Sequence, residues 1–403
     1  MQPSPAEPFP GSRLLPAFLL LASPCAAQAL WTVDDNGPAD FASVQVAINT
    51  VAAGDVLLIE PGSYGAAVVN KSLTLLGSPG SARPAFASLD FIGAQHARAL
   101  HLQTQALTVI NITGHAFIDD CVVTDLETQI DNCADVSLAN CTLGALPLAG
   151  NGVDGLSLFQ CGYVQIVNST ITGGAGLSSS ITFVPGAGGA GIRLEQSKLL
   201  LIGSTVRGGA GQTLTAPLFA GTGGDAVLVD IGSTAEVRGS NFDLLAGGLG
   251  NAGVPPFLNG VAIRAKNGGT AVTSGVSTTG GFNGPVTQVT ARPYLEWSGA
   301  GGPGSSRTLT AYGAAGSICV MFLATDSFLD TGFSGTYGLP LLVHPGTIFL
   351  STSAQLLGQN LGNGPTYPTP LGSALAGARF LAQGAVVGTS VQATNAVELM
   401  LSF

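Results

Sequence analysis

Hydrophobic positions along this chain follow two periods. Between residues 41 and 51 they recur three and four apart, so Phe41, Val44, Ala47, Ile48 and Val51 share one helical face. The pattern predicts a capping helix over 41–52, with Asp40 as its N-cap and Gly54 closing its end. From Val56 onward the apolar runs are short: Val56-Leu57-Leu58-Ile59, then Val68-Val69, then Leu73-Thr74-Leu75-Leu76. The turn Pro61-Gly62-Ser63-Tyr64 separates the first two. Short apolar runs between Gly and Pro corners predict strands.

Further along, a short motif recurs. Its copies are Asn140-Cys141-Thr142-Leu143, Asn168-Ser169-Thr170-Ile171, Gly203-Ser204-Thr205-Val206 and Gly239-Ser240-Asn241-Phe242. Asp120-Cys121-Val122-Val123 fits one step earlier, and Ser274-Gly275-Val276 is a weaker copy. Each motif follows an alternating segment, such as Gly155-Leu156-Ser157-Leu158-Phe159 or Val227-Leu228-Val229. Successive copies lie 20 to 36 residues apart, the later ones being separated by Gly-rich insertions. A fixed strand–turn–strand unit with variable connections is the signature of a solenoid, whose coils bury their inner faces only by stacking. The insertions "GGAGLSSSITFVPGAGGAG", "GGAGQTLTAPLFAGTGGDA" and "AGGLGNAGVPPFLNG" are expected to project side by side from one flank. As loops on a rigid scaffold, they either carry a binding site or are simply tolerated.

The run "FASVQVAINTVAAGDVLLIEPGSYGAAVVNKSLTLLG" resembles the N-terminal cap and first rungs of the pectate-lyase-like, right-handed parallel β-helix superfamily. The shared features are the helix ending in Ala53-Gly54-Asp55, the "PGSY" turn at 61–64 and the "KSLTLLG" strand at 71–77. The resemblance implies an all-β right-handed parallel β-helix with an N-terminal capping helix, and we place it over 30–285. Beyond that the pattern changes to short alternating strands punctuated by Gly and Pro. Residues 290–403 are expected to form a small antiparallel β-sandwich, similar to tail modules of secreted bacterial proteins.

Composition supports a packed core with many corners. Hydrophobic residues make up 46% of the chain and charged residues only 9%, against about 25% charged in an average soluble protein. The net charge is −10 and no basic patch appears, so neither nucleic acid nor an anionic membrane is an expected partner. Arg13 precedes the apolar run Leu14 to Ala22, and Ala27-Gln28-Ala29 fits a small-residue cleavage site. Residues 1–29 therefore read as a signal peptide, which predicts secretion and a mature start near Leu30. No later run of 18 apolar residues predicts a further membrane span.

Five of the six cysteines lie beyond that leader. Cys121 and Cys141 fill the same motif position in neighbouring coils. Cys133 and Cys161 both precede a motif Asn by seven residues. Equivalent positions in adjacent coils lie about 4.8 Å apart, within the roughly 4.4–6.8 Å Cα separation of a disulfide. Two inter-coil bridges are expected, Cys121–Cys141 and Cys133–Cys161. The alternative is a ladder of free, buried thiols.

Pectin-acting members of the superfamily use carboxylates, or acidic Ca²⁺ ligands with a basic proton acceptor. The matching acidic stretch here is Asp119, Asp120, Asp125, Glu127, Asp131 and Asp135. Asp119 and Asp120 are candidate paired carboxylates or Ca²⁺ ligands, although strand alternation puts neighbours on opposite faces. His115 and Asp119 are a candidate general-base pair, but four residues of strand would separate them by about 13 Å. Arg193, Arg207, Arg238 and Arg264 recur near the later coils, either as charge stabilisers or as solvated turn residues. The defining polygalacturonase and pectin-methylesterase series are missing. Asn70, Asn111, Asn140 and Asn168 sit in N-x-S/T sequons, which read either as glycan acceptors or, for Asn140 and Asn168, as stacked corner residues.

These features point to a secreted β-helix that binds an extracellular polysaccharide or cell-surface component, or serves structurally, without catalysis. The alternative is a polysaccharide-active lyase, hydrolase or epimerase using Asp119, Asp120, Asp125 or His115, with Ca²⁺ the one cofactor it would call for.

Overall fold

The first described strand, Leu30–Val33, is held at the top of the molecule by one buried carboxylate. Asp55 accepts hydrogen bonds from the Ala29 and Ala52 backbone N–H groups and from Trp31 Nε1, each at 3.0 Å. We describe here a computed structural model, in which residues 28–177, 185–212, 221–239, 244–250, 259–289 and 292–298 are described, followed by the strands between 306 and 400. The predicted leader core therefore lies outside the described residues.

Below this cap the chain winds as a right-handed parallel β-helix. One coil contributes Asp135–Ala139 to a first sheet, Thr142–Gly144 to a second and Leu156–Phe159 to a third. We call these sheets A, B and C. They hold eleven, nine and nine strands, all parallel and in register. Alternation sends one side-chain set inward, where like stacks on like: Leu75, Ala99, Ile118, Leu138, Ile166, Leu201 and Val237 form one continuous column. All belong to a single buried cluster running the length of the solenoid. The parallel sheets extend to Val286–Gln288.

The capping helix spans Val44–Thr50, shorter than the predicted 41–52. Asp40 is not its N-cap. Ser43 occupies that position without a side-chain bond, while the Asp40 carboxylate binds the Thr32 N–H (2.8 Å) and hydroxyl (2.9 Å). The helix buries Val44, Ala47 and Ile48 on the core and covers an exposed strand edge. Gln45 mimics a strand there, giving its amide to Val68 O (3.2 Å) and taking the Val68 N–H (2.7 Å). Among the described residues no helix is long and apolar enough to cross a membrane.

In the middle coils two corners are turned by a single residue with positive φ. His101, Asp120, Asn140, Asn168 and Gly203 turn sheet A into B, and Asn111, Asn132, Gln160 and Gln196 turn C into A, all at φ 48–57°. Asn tolerates this conformation, and stacked amides bond to each other. Asn168 Nδ2 donates to Asn140 Oδ1 (2.7 Å), and Asn132 Nδ2 to Asn111 Oδ1 (2.7 Å). The amide nitrogens of the Asn140 and Asn168 sequons are thus occupied within the corner.

The expected disulfides Cys121–Cys141 and Cys133–Cys161 are not formed; all four are free and buried. Their stacking is as expected from the repeat. Parallel strands, however, point equivalent Cβ atoms the same way, about 4.8 Å apart, beyond the roughly 3.5–4.5 Å of a disulfide. Each thiol instead behaves as the serine of its column does. Cys141 Sγ donates to Ala139 O (3.1 Å), as Ser169 Oγ does to Val167 O (2.8 Å) and Ser204 Oγ to Ile202 O (2.7 Å). In the second column Cys161 Sγ donates to Phe159 O and Ser197 Oγ to Glu195 O. Burial pushes Cys121 up to about 12 and Cys133 to about 11, so the thiolate form is scarce at neutral pH.

The Gly-rich insertions depart furthest from expectation. Their described parts are not loops but extended arms packed backbone to backbone. Outgoing and returning arms alternate along one column: Gly174 N–H donates to Val153 O, Gly189 to Gly174, Gly209 to Gly189, Gly224 to Gly209 and Gly248 to Gly224, at 2.7–2.9 Å. Arms of the same direction bond at every third residue, Gly173 to Arg207 and Gly176 to Ala210, then Gly188 to Thr222 and Gly191 to Asp225. A three-residue period with no bonds inside an arm is that of polyproline-II chains. A Cβ on Gly209 would sit 1.9 Å from Gly174 O, and one on Gly224 1.9 Å from Gly189 O. Only glycine permits this approach. The tips of these insertions lie outside the described residues.

After the solenoid, antiparallel strands follow, among them Tyr294–Ser298 with Ser306–Tyr312 and Ile318–Ala324 with Arg379–Val387. Tyr294, Leu295, Leu309, Ala311 and Cys319 form one buried cluster with Val167, Leu200 and Ile202 from the outer face of sheet A. Arg238, expected either as a charge stabiliser or at a solvated turn, is buried in this contact and bonds Pro293 O (2.6 Å) and Glu236 (2.8 Å). Glu236 also holds Arg292 at 2.7 Å.

Two outcomes follow from this packing. Gly209→Ala should lower unfolding free energy by about 1–3 kcal/mol through overpacking, whereas Gly65→Ala, with nothing within 4 Å, should change it by under about 0.5 kcal/mol; urea denaturation compares them. Protein lacking the leader, unfolded without reductant, should take up five alkyl groups by intact mass. Uptake of three or one would mean bridges.

Candidate functional site

The carboxylates singled out in the sequence do not share a site. Asp119 is buried and accepts the Asn140 amide at 2.8 Å. Asp120 turns the next corner, where Arg83 binds one oxygen and His101 Nδ1 the other at 2.7 Å. Asp125 lies in the turn after Val122-Val123, where its backbone N–H bonds Gln105 O and its carbonyl accepts from Leu146. His115 pairs not with Asp119 but with Asp135 in the next coil, Nδ1 to Oδ2 at 2.8 Å, because register sets residues 115 and 135 side by side. Asp119, Asp120 and Asp125 therefore assemble no Ca²⁺ ligand set. Among the described residues no three or more His, Cys, Asp or Glu gather where they could hold a metal.

The Arg83–Asp120–His101 trio has the geometry of a latch. His101 Nδ1 faces a carboxylate and Nε2 faces Ser81 O at 3.1 Å. Both partners are acceptors, so the arrangement suits the doubly protonated ring. The Asp120 bond raises the His101 pKa above its ordinary 6.5, against the opposing effect of burial. Burial pushes Asp120 upward, but the bonds from His101 and Arg83 together hold it below 3.8. Together they fasten the 78–84 excursion to the corner.

A different surface presents unspent functional groups. Register lines up two rows along the outer face of sheet C, which is open to solvent at Gln129 and Phe159 and buried at Leu228 and Asp230. One row runs Asp131, Phe159, Glu195 and Asp230; the other runs Gln129, Ser157, Arg193, Leu228 and Arg264. Phe159 is 41% exposed, with a carboxylate on the strand to either side. At the edge nearest the Gly arms, Glu127 accepts from Ser157 Oγ, and Arg193 Nε is held by Asp154. Burial raises the pKa of Glu127, with the Asp154 charge adding to it, and burial alone raises that of Asp131.

At the other edge the face continues into an open groove of about 570 Å³ along the corner, lined by Gln160, Gln196, Lys198, Ile231 and Thr234 over a floor of Cys161 and Ser197. Gln160 Nε2 donates to Gln196 Oε1 at 3.0 Å. Glu127, Asp131 and Arg193 stand out in the sequence as candidates, whereas Phe159, Gln160, Glu195, Gln196 and Lys198 do not. Aligning "GLSLFQC" with "GIRLEQS" and "AVLVDIG" on their inward residues would have stacked Phe159, Glu195 and Asp230.

No protein-family model matches the chain, and no curated protein matches it. Among solved structures it is similar to the full-length tailspike protein 2 of Escherichia coli O157:H7 bacteriophage CAB120, with 10% identity and a TM-score of 0.23 over 88% of this chain. The match takes in 60% of the tailspike chain, so this chain spans about three fifths of that protein's length. A likeness this loose says nothing about function.

The latch should show a pH window. His101, with a raised pKa, contributes fully below 6.5 and loses its contribution as pH rises through the higher folded value. Asp120, with a lowered pKa, contributes above 3.8 and loses it as pH falls through the lower folded value. Melting temperatures across that range should therefore show a His101-dependent gain greatest between about pH 4 and 6.5, on the order of 0.5–1 kcal/mol for partly exposed groups. In His101→Gln the decline on the alkaline side of that window should flatten.

Proposed function

We propose that this chain is an exported β-helix protein of the pectate-lyase-like type that binds an extracellular or cell-surface glycan without cleaving it. Residues 1–29 would serve as its export signal and the C-terminal strands as a sandwich module closing sheet A. The observation that carries the reading is the outer face of sheet C with its adjoining groove. One exposed aromatic ring, a hydroxyl and carboxylates occupy successive coils there, beside the stacked Gln160 and Gln196 amides, at the coil spacing of about 4.8 Å. A rigid row of apolar and hydrogen-bonding groups suits an extended polymer of sugar rings. The dispersal of Asp119, Asp120, Asp125 and His115 into corner and sheet contacts supports binding over chemistry at the positions first suspected.

One observation favours the second reading, a polysaccharide-active enzyme. Asp131 and Glu195 flank Phe159 two strands apart, about 9.6 Å between Cα atoms, near the roughly 6.5–9.5 Å between the two carboxyls of inverting glycosidases.

The mature protein, incubated with a panel of soluble and insoluble glycans with and without Ca²⁺, should be retained by at least one of them without new reducing ends or unsaturated products. Phe159→Ala should weaken retention several-fold with an unchanged melting temperature. Product formation abolished by Asp131→Asn or Glu195→Gln would establish the enzyme instead.

A further inference from the structure

Resting on that binding reading, we infer that the sheet C face selects a cationic, amine-bearing glycan and rejects polyuronates. The basic groups on this face are already neutralised from within. Asp154 holds Arg193, Asp225 holds Arg264 at 2.6 Å, and Asp230 holds Lys266 at 3.0 Å. The remaining carboxylates, Asp90, Glu127, Asp131 and Glu195, take no part in these pairs, and Arg193 reaches Glu127 and Glu195 only through its field. Lys198 lines the groove beyond the corner, on sheet A rather than on this face. A polyuronate laid along the rows would set its carboxylates against Asp131 and Glu195.

An ammonium group fits what is present. The register puts Phe159 between Asp131 and Glu195, each about 4.8 Å away along the sheet. A cation over an aromatic face is attracted by the ring's quadrupole, and two flanking carboxylates complete its surroundings. The burial that raises the pKa of Asp131 and Glu127 is a cost that a bound cation relieves. The ring faces of the sugars would lie against Phe159, with Ile92 three strands away on the same row and Ile231 at the corner beyond Asp230, each 39–44% exposed.

Affinity electrophoresis of the mature protein in gels containing a glucosamine polymer, its N-acetylated counterpart or polygalacturonate tests this. The expected result is retardation by the glucosamine polymer that weakens with added salt. The Asp131→Asn/Glu195→Gln double variant should bind it at least tenfold more weakly, while Glu60→Gln/Asp125→Asn, which removes equal charge elsewhere, should bind as the parent does. Melting curves verify that both variants fold. Equal weakening in the two variants would reduce the effect to net charge and overturn the inference. Retardation by polygalacturonate or by the acetylated polymer alone would overturn it while leaving glycan binding intact. Retardation by none of a wide glycan panel would overturn the binding reading itself.

Discussion

In-register parallel stacking is the constraint on which this structure depends. Every position in a coil lies about 4.8 Å from its own equivalent above and below, with its side chain pointing the same way. A residue type is therefore tolerated only where it can sit beside its own kind. Apolar groups satisfy the rule inside, as in the column from Leu75 to Val237. At the corners amides satisfy it, because a carboxamide carries both donor and acceptor and can bond an identical neighbour, as Asn168 does Asn140. Hydroxyls satisfy it too: Ser204 Oγ donates to a carbonyl of its own coil and accepts the Ser169 N–H.

Charged groups satisfy the rule mainly in alternation. Asp154 and Asp225 each bond an arginine of the following coil, 39 residues on, while Glu195 and Asp230 stand directly side by side on sheet C, Asp230 being paired with Lys266. The glycines carry the same rule to its limit. Where whole backbones pack in two directions at once, no side chain fits at the contact, and its positions are Gly174, Gly189, Gly209, Gly224 and Gly248.

Much of the scaffold was legible because stacking writes itself into sequence as repetition. The motif from Asp120 to Val206, the helix near 44–50 and the corner asparagines could all be read from spacing alone. The Cys columns were legible as columns, but bridges and free thiols stayed open as alternatives, since spacing gives Cα proximity and says nothing of the direction of Cβ. The arms were misread as loops because glycine ordinarily signals freedom, whereas here it signals a contact too close for any other residue. The candidate face was missed for a related reason. Asp119 and Asp120 are adjacent in sequence and drew attention, yet one turns into a corner amide and the other to Arg83 and His101. Phe159 and Glu195 lie 36 residues apart and become neighbours only once the insertion between them folds away from the sheet.

The same constraint separates the faces of the solenoid by role. The outer face of sheet A is apolar at Val167, Leu200 and Ile202 and is covered by the C-terminal strands, with Arg238 and Glu236 tying the contact. The flank between sheets B and C carries the glycine arms, whose packing is complete in itself. The outer face of sheet C differs from both. Its basic groups are paired internally, its carboxylates are in excess and an aromatic ring stands exposed among them. A stack that permits like charges to accumulate only where they are compensated leaves uncompensated ones at a cost, and the surplus on sheet C persists across several coils. The proposed ligand, repeating along its length as the coils do, would match that row of Asp131, Phe159 and Glu195.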